Sequence, residues 1–538
     1  MTLRERHLEQ LSRSTHDVLI IGGGINGAAS AAALAGKGVS VALIDRGDFA
    51  GGTSMHSSNL VWGGIKYMES NDFKLVRKLC KSRNHLMKSY PSTVKEIRFF
   101  TSIAKGFRHS PYYLWAGTWL YWLMGNGFTR TPRLLSPKAI KSEEPIVDTQ
   151  QVVGGFEYSD AYLFDNDARF VFNFIRRALD AGATAANYVE STGAKRDDDG
   201  NWVVQARNVM SGETFEIRAK TLINAAGPWV DALNAANGQK TSHHHLYSKG
   251  IHLIVPQITQ SKRVLAFFAD DGRLFFVIPM GNRTCIGTTD TPMESPEVTV
   301  TKEDVRFVLD NINARLDLAK PLTEEDIISS RCGVRPLAIK SQQGSERDFL
   351  QLSRKHVIDT ERESAHLSIF GGKLTDCLNV GDEVTDEIAK LGIKVPNPDV
   401  RWYGEPSDAE KARFLDRARA IKLDEQTPAG SSEALSSRLW RRYGERAFDL
   451  LTLIEQDARN AEIIIEGTEY IRAEILHARE HEMVTELDDF LRRRSKVAMV
   501  VSKQTLAHSR GLEETCELLF GDDAKERLDH YFAHAEDA

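Results

Sequence analysis

Cysteine is scarce in this 538-residue sequence, and long apolar runs are missing. The five cysteines include no Cys-x-x-Cys pair and stand far apart, at positions 80, 285, 332, 377 and 516. This scatter predicts a reducing compartment and argues against a structural zinc site. The charged segment 1–16 lacks the apolar core of a secretory signal. A membrane-spanning helix needs about 20 consecutive apolar residues, and the sequence predicts none.

An excess of charge is missing as well. The 69 basic and 75 acidic residues leave a formal net charge of −6, so a nucleic-acid partner is not expected. Hydrophobic residues form 41% and charged residues 27% of the chain, as in ordinary globular proteins. The length exceeds what one hydrophobic core usually supports and predicts two or three domains.

Glycines are concentrated near the amino end, between two apolar runs. Residues 17–21 are rich in β-branched side chains, and Gly-Gly-Gly-Ile-Asn-Gly follows at 22–27. An alanine-rich segment then covers 28–35, and a second apolar run covers 39–44. The order predicts strand, tight turn, helix and strand, which is the context of a dinucleotide-binding fingerprint.

Each residue type in this fingerprint has a mechanical role. Gly22 permits the tight turn, Gly24 lets the backbone approach a pyrophosphate, and Gly27 lets the helix pack closely on the strand. The positive end of the helix faces the phosphates. Asp45 ends the second strand and is predicted to accept hydrogen bonds from ribose hydroxyls. The motif alone allows either NAD or FAD.

Three later segments carry small residues suited to a cofactor. The loop 51–59 is predicted to wrap a second phosphate or a ring edge, with an ordinary loop as the alternative. The segments 221–229 and 367–375 each read as a strand that runs into small or glycine residues. The candidate cofactor residues in these segments are Thr53, Ser54, Ser57, Ser58, Ala226, Gly227, Gly371, Gly372, Lys373 and Leu374.

The segment 97–142 contains seven basic residues and no Asp or Glu. Its aromatic centre, 107–128, is interrupted by glycines and is too short to be a membrane span. Aromatic rings lie well at the level of lipid headgroups, and nearby cations favour an anionic surface. We predict a peripheral membrane contact, and the alternative is an aromatic-rich core helix with a basic rim.

Histidines form several patterns. His252 lies on the polar register of an apolar strand at 249–256, within a β-rich region, where a lone histidine is more often structural than functional. The tract 243–245 is predicted to be a solvated loop, because adjacent imidazoles on a strand cannot converge on one ion. His477 and His481 have i, i+4 spacing without a His-Glu-x-x-His motif, so a solvent-facing helix is predicted and no metal site.

Taken together, these motifs resemble the FAD-dependent glycerol-3-phosphate dehydrogenases, within a wider family that includes D-amino-acid oxidase. The likeness covers nearly the whole chain and rests on matches at 20–27, 63–67, 155–160, 224–229, 249–256, 286–290, 333–337, 370–375 and 486–494. It implies FAD rather than NAD.

The implied fold is α/β, with a Rossmann-like FAD-binding domain interleaved with an antiparallel β substrate lobe, plus a C-terminal all-helical domain. The segment 396–406 contains three prolines and reads as a linker. We therefore predict an oxidoreductase region at 1–395 and a helical domain at 405–538.

The resemblance also implies a reaction. The family oxidises sn-glycerol 3-phosphate to dihydroxyacetone phosphate, with hydride passing from C2 to flavin N5 and electrons passing to a membrane quinone. A cytoplasmic protein held at the inner face of the cytoplasmic membrane is expected. By resemblance, His252 is the base and Arg335 binds the phosphate or polarises the substrate oxygen. The other implied pocket residues are Lys66, Tyr67, Lys373 and Thr375.

Three positions depart from the family pattern and leave the substrate open. At 62–67 the family commonly reads His-Gly-Gly-Leu-Arg-Tyr, whereas this chain has Trp62 in place of the histidine and Lys66 in place of the arginine. At 376–378 the family usually reads Thr-Tyr-Arg, whereas this chain has Asp376 in place of the threonine. Lys66 keeps the charge but loses the guanidinium fork. The alternatives are a flavin oxidase or dehydrogenase of a related hydroxy or amino acid, or a catalytically altered flavin-binding redox protein. The choice between monomer and homodimer is open, and His56 is expected to form hydrogen bonds rather than attach the flavin covalently.

Overall fold

The structure is a computed structural model and describes residues 1–269, 272–340 and 355–534. Strands and helices are numbered in chain order. The strands are β1 (Thr15–Ile21), β2 (Val41–Ile44), β3 (Leu60–Val61), β4 (Val94–Ala104), β5 (Arg133–Leu135), β6 (Val152–Leu163), β7 (Thr184–Ala186), β8 (Val189–Arg196), β9 (Trp202–Asn208), β10 (Thr214–Asn224), β11 (His243–Pro256), β12 (Val264–Phe268), β13 (Leu274–Met280), β14 (Arg283–Gly287), β15 (Thr291–Met293), β16 (Ser329–Lys340), β17 (Val357–Glu361) and β18 (His366–Phe370).

Helices cover the sheets and form most of the chain after residue 407. They are α1 (Leu3–Arg13), α2 (Ile25–Gly36), α3 (Phe73–Ser89), α4 (Pro111–Met124), α5 (Pro137–Glu143), α6 (Asp167–Asp180), α7 (Val230–Ala236), α8 (Lys302–Asn313), α9 (Cys377–Lys390), α10 (Asp408–Ala420), α11 (Leu435–Tyr443), α12 (Ala447–Gln456), α13 (Arg472–His481), α14 (Val497–Val500), α15 (Lys503–Leu506), α16 (Arg510–Phe520) and α17 (Ala524–His534). Among the described residues, no helix is long and apolar enough to cross a membrane.

The first sheet brings the predicted cofactor segments to one edge. Its strand order is β17-β18-β10-β1-β2-β7, and the pairs from β18 to β7 are parallel. The carboxyl ends of parallel strands meet at the same edge. The turns after β1, β2, β10 and β18 therefore lie side by side, although they come from distant parts of the sequence.

Two glycines fix the fingerprint turn. Gly22 has φ of +108°, and a Cβ atom there would lie 2.4 Å from the carbonyl oxygen of Ala225. A Cβ on Gly27 would lie 1.8 Å from the carbonyl oxygen of Gly22. The alanine-rich α2 is buried along most of its length and packs against α6 and α9. Small residues are required here because the helix, the turn and the neighbouring strand approach so closely.

The second sheet carries the substrate side of the molecule. Its main order is β15-β11-β14-β13-β12-β4-β6-β3, and its pairs are antiparallel except β12 with β4. The long strand β11 pairs with β14, β15 and β16. The elements of the two sheets alternate along the chain, as an interleaved fold requires.

The carboxyl-terminal helices contact both parts of the molecule. Residues of α13, α14 and the segment 489–494 share a hydrophobic cluster with the second sheet. The buried guanidinium of Arg494 donates to both carboxylate oxygens of Asp48 at 2.8 Å, three residues after the end of the fingerprint. The division of the chain at 395–405 stays a prediction.

Two histidine predictions are wrong. The tract 243–245 begins β11 rather than forming a solvated loop, because it pairs with residues 338–340 of β16. His477 does not face solvent, since its side chain is fully buried and its ring lies edge-on to that of Tyr443. Both errors have one cause, because the partner that covers each segment comes from a distant part of the chain.

Candidate active site

A cavity of about 990 Å³ lies between the carboxyl edge of the first sheet and one face of the second. This volume is at the upper end of the range for cofactor and small-molecule sites. The predicted residues that line it are Gly22, Gly24, Asp45, Thr53, Ser54, Ser57, Ser58, Lys66, Ala226, Gly227, His252, Arg335, Gly371, Gly372, Lys373, Leu374 and Thr375.

One end of the cavity is built by the fingerprint. The first turn of α2 faces it, and Gly24, the residue before the helix, provides no side-chain cap. Helix amides and the helix dipole therefore favour an anion here. The Asp45 carboxylate accepts hydrogen bonds from the amides of Gly23 at 2.6 Å and Gly47 at 2.9 Å. Burial raises the pKa of Asp45 to about 6.

The polar groups of the lining fit FAD. Asn26 Oδ1, His56 Nδ1 and Trp229 Nε1 are buried and have no hydrogen-bond partner among the described residues, yet all three side chains line the cavity. Buried polar atoms are normally hydrogen-bonded. An elongated ligand with a phosphate group and several polar edges would satisfy these atoms, and the glycine backbone leaves room for it.

The loop after β2 is tied to the first turn of α2 and to the second sheet. The Ser54 hydroxyl accepts from the amide of Ile25 at 2.9 Å, and the Thr53 hydroxyl donates to the carbonyl of Val334 at 2.7 Å. Ser57 accepts from the amide of Asn59 at 3.1 Å. These hydroxyls fix the wall of the cavity, so the loop presents its backbone as well as its side chains to a ligand.

The turn after β18 is clamped from two sides. The side-chain amide of Asn26 donates to the carbonyl of Gly371 at 3.0 Å. The amide of Gly371 donates to Nε2 of the buried His245 at 3.0 Å. Neither clamping residue was predicted from the sequence. Asn26 stands inside the fingerprint, which could have drawn attention to it, whereas the sequence around His245 carried no comparable signal.

His252 presents a neutral imidazole to the cavity. Its side chain is 2% exposed, and neither ring nitrogen has a hydrogen-bond partner among the described residues. Burial, followed by the charges of Arg335 and Arg331, lowers the pKa of His252 to about 3. The ring is thus a proton acceptor at neutral pH.

Arg335 is held beside His252 by the turn after β14. Its guanidinium donates to the carbonyl of Thr289 at 3.0 Å and to the hydroxyl of Thr288 at 2.7 Å, and it lies 3.3 Å from Asp290. A Cβ on Gly250 would lie 2.1 Å from the guanidinium. Glycine at position 250 therefore makes the space that Arg335 occupies.

Arg331 is a second buried cation behind the site. It lies four residues before Arg335 on β16, on the same face of the strand, and it is paired in register with His252. Its guanidinium donates to the side-chain oxygen of Asn59 at 3.2 Å and to the carbonyl of Ser57. Its period-two spacing from Arg335 was the sequence signal that could have identified it.

Three side chains form a cation–aromatic group at the other end of the cavity. The ammonium of Lys373 lies 4.3 Å from the ring centre of Tyr67 and 5.6 Å from that of Trp62. Such contacts hold a cation in place. Lys66 also lines the cavity, and its side-chain ammonium makes no hydrogen bond or ion pair with the described residues.

Three residues singled out from the sequence do not line the cavity. Gly27 packs α2 on the fingerprint turn, as described above. Tyr67 is buried behind Lys373. Asp376 departs from the family pattern, but its carboxylate accepts a hydrogen bond from Ser82 at 3.0 Å and lies 2.7 Å from Nδ1 of His356. It binds α3 to the turn before α9.

The fold and the cavity define an FAD-dependent oxidoreductase. Residues 17–360 match the family described as FAD dependent oxidoreductase, and residues 408–526 match the C-terminal domain of alpha-glycerophosphate oxidase. The first match covers more than half of the chain. The predicted FAD cofactor and the predicted fold class, including the helical C-terminal part, are confirmed.

More specific relatives narrow the family. The aerobic glycerol-3-phosphate dehydrogenase of Bacillus subtilis is 31% identical over 508 residues, which cover 91% of this chain and 89% of that protein. The enzyme of the same name from Staphylococcus haemolyticus is 30% identical, with 91% and 88% covered. The crystal structure of glycerol-3-phosphate dehydrogenase from Bacillus halodurans complexed with FAD has a TM-score of 0.73 at 25% identity and covers 98% of this chain and 96% of its own. The chain belongs to the aerobic glycerol-3-phosphate dehydrogenase family, which confirms the predicted resemblance.

Proposed function

We propose that this protein oxidises sn-glycerol 3-phosphate at C2 to dihydroxyacetone phosphate, using FAD, and passes the electrons to a membrane quinone. The supporting observation is the meeting of one buried neutral imidazole, His252, with the cations Arg335, Lys66 and Lys373 in one cavity. A polyol with a phosphate dianion matches this combination of a base and several cations. Bound FAD, held by the fingerprint turn at Gly22 and Gly24 and by the Gly371–Gly372 turn, would supply the hydride acceptor at N5.

In the proposed mechanism, His252 removes the proton of the C2 hydroxyl. The imidazole must be neutral to do so, and its lowered pKa keeps it neutral throughout the physiological range. Arg335 is suited to bind the phosphate or the substrate oxygen through its planar fork. The 288–290 turn holds that fork in one orientation, so the reacting carbon is positioned before chemistry begins.

The substrate itself assists the base. Burial lowers the pKa of His252, and the positive charges of Arg335 and Arg331 lower it further. A bound phosphate dianion offsets those charges, so the pKa of His252 rises when substrate enters. A proton acceptor works best when its pKa is near the working pH. An uncharged polyol such as glycerol would bind weakly and would also leave the pKa of His252 far below the working pH.

The phosphate is favoured over the carboxylate of a hydroxy acid because several cations line the cavity. The ammonium of Lys66 is a compact point charge, whereas a guanidinium would donate two parallel hydrogen bonds. A compact point charge suits a tetrahedral phosphate. Trp62 and Lys66 still mark the part of the pocket where a different anion could be chosen. The substrate therefore has to be tested against a hydroxy acid.

Anaerobic mixing of the holoenzyme with single substrates tests the proposal. Flavin absorbance should bleach on mixing with sn-glycerol 3-phosphate and should persist with glycerol or lactate. Bleaching by lactate but not by glycerol 3-phosphate would reassign the enzyme to hydroxy acids. No bleaching by any of these compounds, from a protein with its full complement of FAD, would contradict the proposed substrate and leave a redox protein without this turnover.

We further infer that helix α4 contacts the inner face of the cytoplasmic membrane. Tyr112, Tyr113 and Leu123 of this helix are 68%, 66% and 60% exposed, and Phe128 follows at 40%. Exposed apolar groups clustered within 107–128 mark a contact surface. Basic residues on both sides would add about 1 kcal/mol each on an anionic membrane. A quinone dissolved in that membrane would then reach the flavin from this side.

Vesicle flotation tests the contact. Wild-type protein should float with vesicles that contain anionic lipid, and Leu123→Glu should remain in the soluble fraction. Val400→Glu is the matched control, because Val400 is 48% exposed and lies far along the chain from α4. Leu123→Glu should also lower quinone reduction while leaving reduction of a water-soluble dye unchanged. Equal flotation of wild type and Leu123→Glu would exclude this surface.

A further inference from the structure

Three potential metal ligands meet in the carboxyl-terminal helices, away from the flavin cavity. Asp449 lies on α12, and His477 and His481 lie on α13. One ligand atom from each lies within 4.8 Å of the other two. All three residues line a second cavity of about 450 Å³. The proposed reaction at FAD uses none of them.

His477 is the fixed member of this group. Its side chain is fully buried, and its nearest acid, Glu482, is 3.9 Å away, beyond hydrogen-bonding distance. Glu482 already pairs with Arg169, whose Nη1 lies 2.7 Å from both carboxylate oxygens. Neither ring nitrogen of His477 has a hydrogen-bond partner among the described residues. A buried imidazole that lines a cavity in this way is an unused ligand.

The other two ligands can close around an ion. His477 and His481 are separated by one helical turn, and their ring centres are 4.7 Å apart. Zinc sites place nitrogen and oxygen ligands roughly 2.0–2.2 Å from the ion, so the ligand atoms must move somewhat closer than 4.8 Å. His481 is exposed and Asp449 is half-buried, so both side chains have room to rotate toward His477.

The charges around the three ligands favour a cation, and the ligand types favour zinc. His481 is the last residue of α13, where the helix dipole favours a cation, and Asp449 adds a negative charge. Arg446 lies 3.4 Å from Asp449 and competes for it. Two imidazoles and one carboxylate suit zinc better than the hard cations Mg²⁺ and Ca²⁺, which prefer oxygen ligands.

We propose that Asp449, His477 and His481 bind one Zn²⁺ ion that fastens α12 to the end of α13. Water completes the coordination, and the ion stabilises the helical region without taking part in flavin chemistry. The proposal is independent of the proposed substrate, because its ligands and its cavity are separate from those of the flavin site.

Binding of Zn²⁺ alone to chelator-treated holoenzyme, measured by titration calorimetry, tests the site. His481→Ala and Asp449→Asn should each weaken binding by about tenfold or more, because each removes one of three protein ligands. The matched control is the double variant His530→Ala with His534→Ala. It removes another exposed i, i+4 pair, on α17, whose rings are 4.3 Å apart, and it should retain wild-type affinity.

Thermal unfolding gives a second readout. Zn²⁺ should raise the midpoint of wild type and of the His530–His534 control, because a ligand that binds the folded state stabilises it. At the same Zn²⁺ concentration, the midpoint of His481→Ala should rise by less than that of wild type. Loss of binding in the His530–His534 control alone, unchanged affinity in His481→Ala and Asp449→Asn, or equal binding of Mg²⁺ would each overturn the proposal.

Discussion

Replacing His252 by alanine is expected to slow flavin reduction by about 100- to 10,000-fold, because a positioned general base contributes that much. The side chain is 2% exposed, and burial with the nearby guanidinium groups lowers the pKa to about 3. At pH 7 the imidazole is therefore neutral in nearly every molecule, and its loss removes an acceptor that is always available.

The rate to measure is that of flavin reduction in a single turnover. Anaerobic stopped-flow mixing with glycerol 3-phosphate isolates the step in which His252 acts, whereas steady-state turnover also includes reoxidation by the acceptor. FAD content should stay unchanged, because the fingerprint end of the cavity holds the nucleotide. The kcat/KM of wild type should show no acid-side loss from His252 until the pH approaches 3, since this pKa is lowered and the neutral form persists above it.

His244→Ala is the matched control, because it removes an imidazole from the same strand, β11, at a position that does not line the cavity. It should reduce its flavin at the wild-type rate. A His252→Ala variant that binds FAD and is reduced within threefold of the His244→Ala rate would refute the assignment of His252 as the base.

Three further changes test the pocket and its surroundings. Lys66→Met should raise KM for glycerol 3-phosphate roughly 10- to 100-fold with a smaller effect on kcat, because a charge-assisted contact is lost. Lys66→Arg keeps the positive charge and should have a KM much closer to that of wild type. Asp376→Asn should lower the thermal midpoint, since about 1–3 kcal/mol of buried bonding is lost, and should leave KM within twofold. His366 is buried and its pKa is lowered to about 4. The His366 imidazole takes up a proton in the unfolded chain as the pH falls from 6.5 to 4 but stays neutral in the folded chain, so this group alone should lower the free energy of unfolding by about 3 kcal/mol over that window. His366→Phe should flatten that decline in the thermal midpoint.

The cofactor edge could be predicted because its signals are local. The fingerprint and the later segments at 221–229 and 367–375 each show a strand followed by small residues. Each signal depends on steric demands within a few residues, such as the space that Gly22 and Gly27 leave for the backbone. Parallel pairing then brings the segments together at one edge, since equivalent ends of parallel strands coincide.

The remaining features depend on pairings between distant residues. Asp376 stands next to pocket residues in the sequence, but its carboxylate points to His356 and Ser82. His245 was interpreted as part of a solvated tract, but it is buried and holds the Gly371 turn. In both cases the partner lies 20 to 294 positions away along the chain, and composition around either residue gives no indication of it.

One buried cluster connects the predicted membrane surface to the flavin cavity. The hydroxyl of Tyr121 on α4 donates to Asp160 at 2.7 Å, and the amide of Gly63 donates to the same carboxylate at 3.0 Å. Arg83 neutralises this carboxylate at 2.9 Å. Gly63 follows Trp62, which lines the cavity. Burial raises the pKa of Asp160, so its charge depends on these donors, and moving α4 would disturb them together. The segment 97–142 is therefore more than an exposed apolar patch. Asp160 of β6 connects its helix α4 to the loop that forms the wall of the proposed substrate pocket.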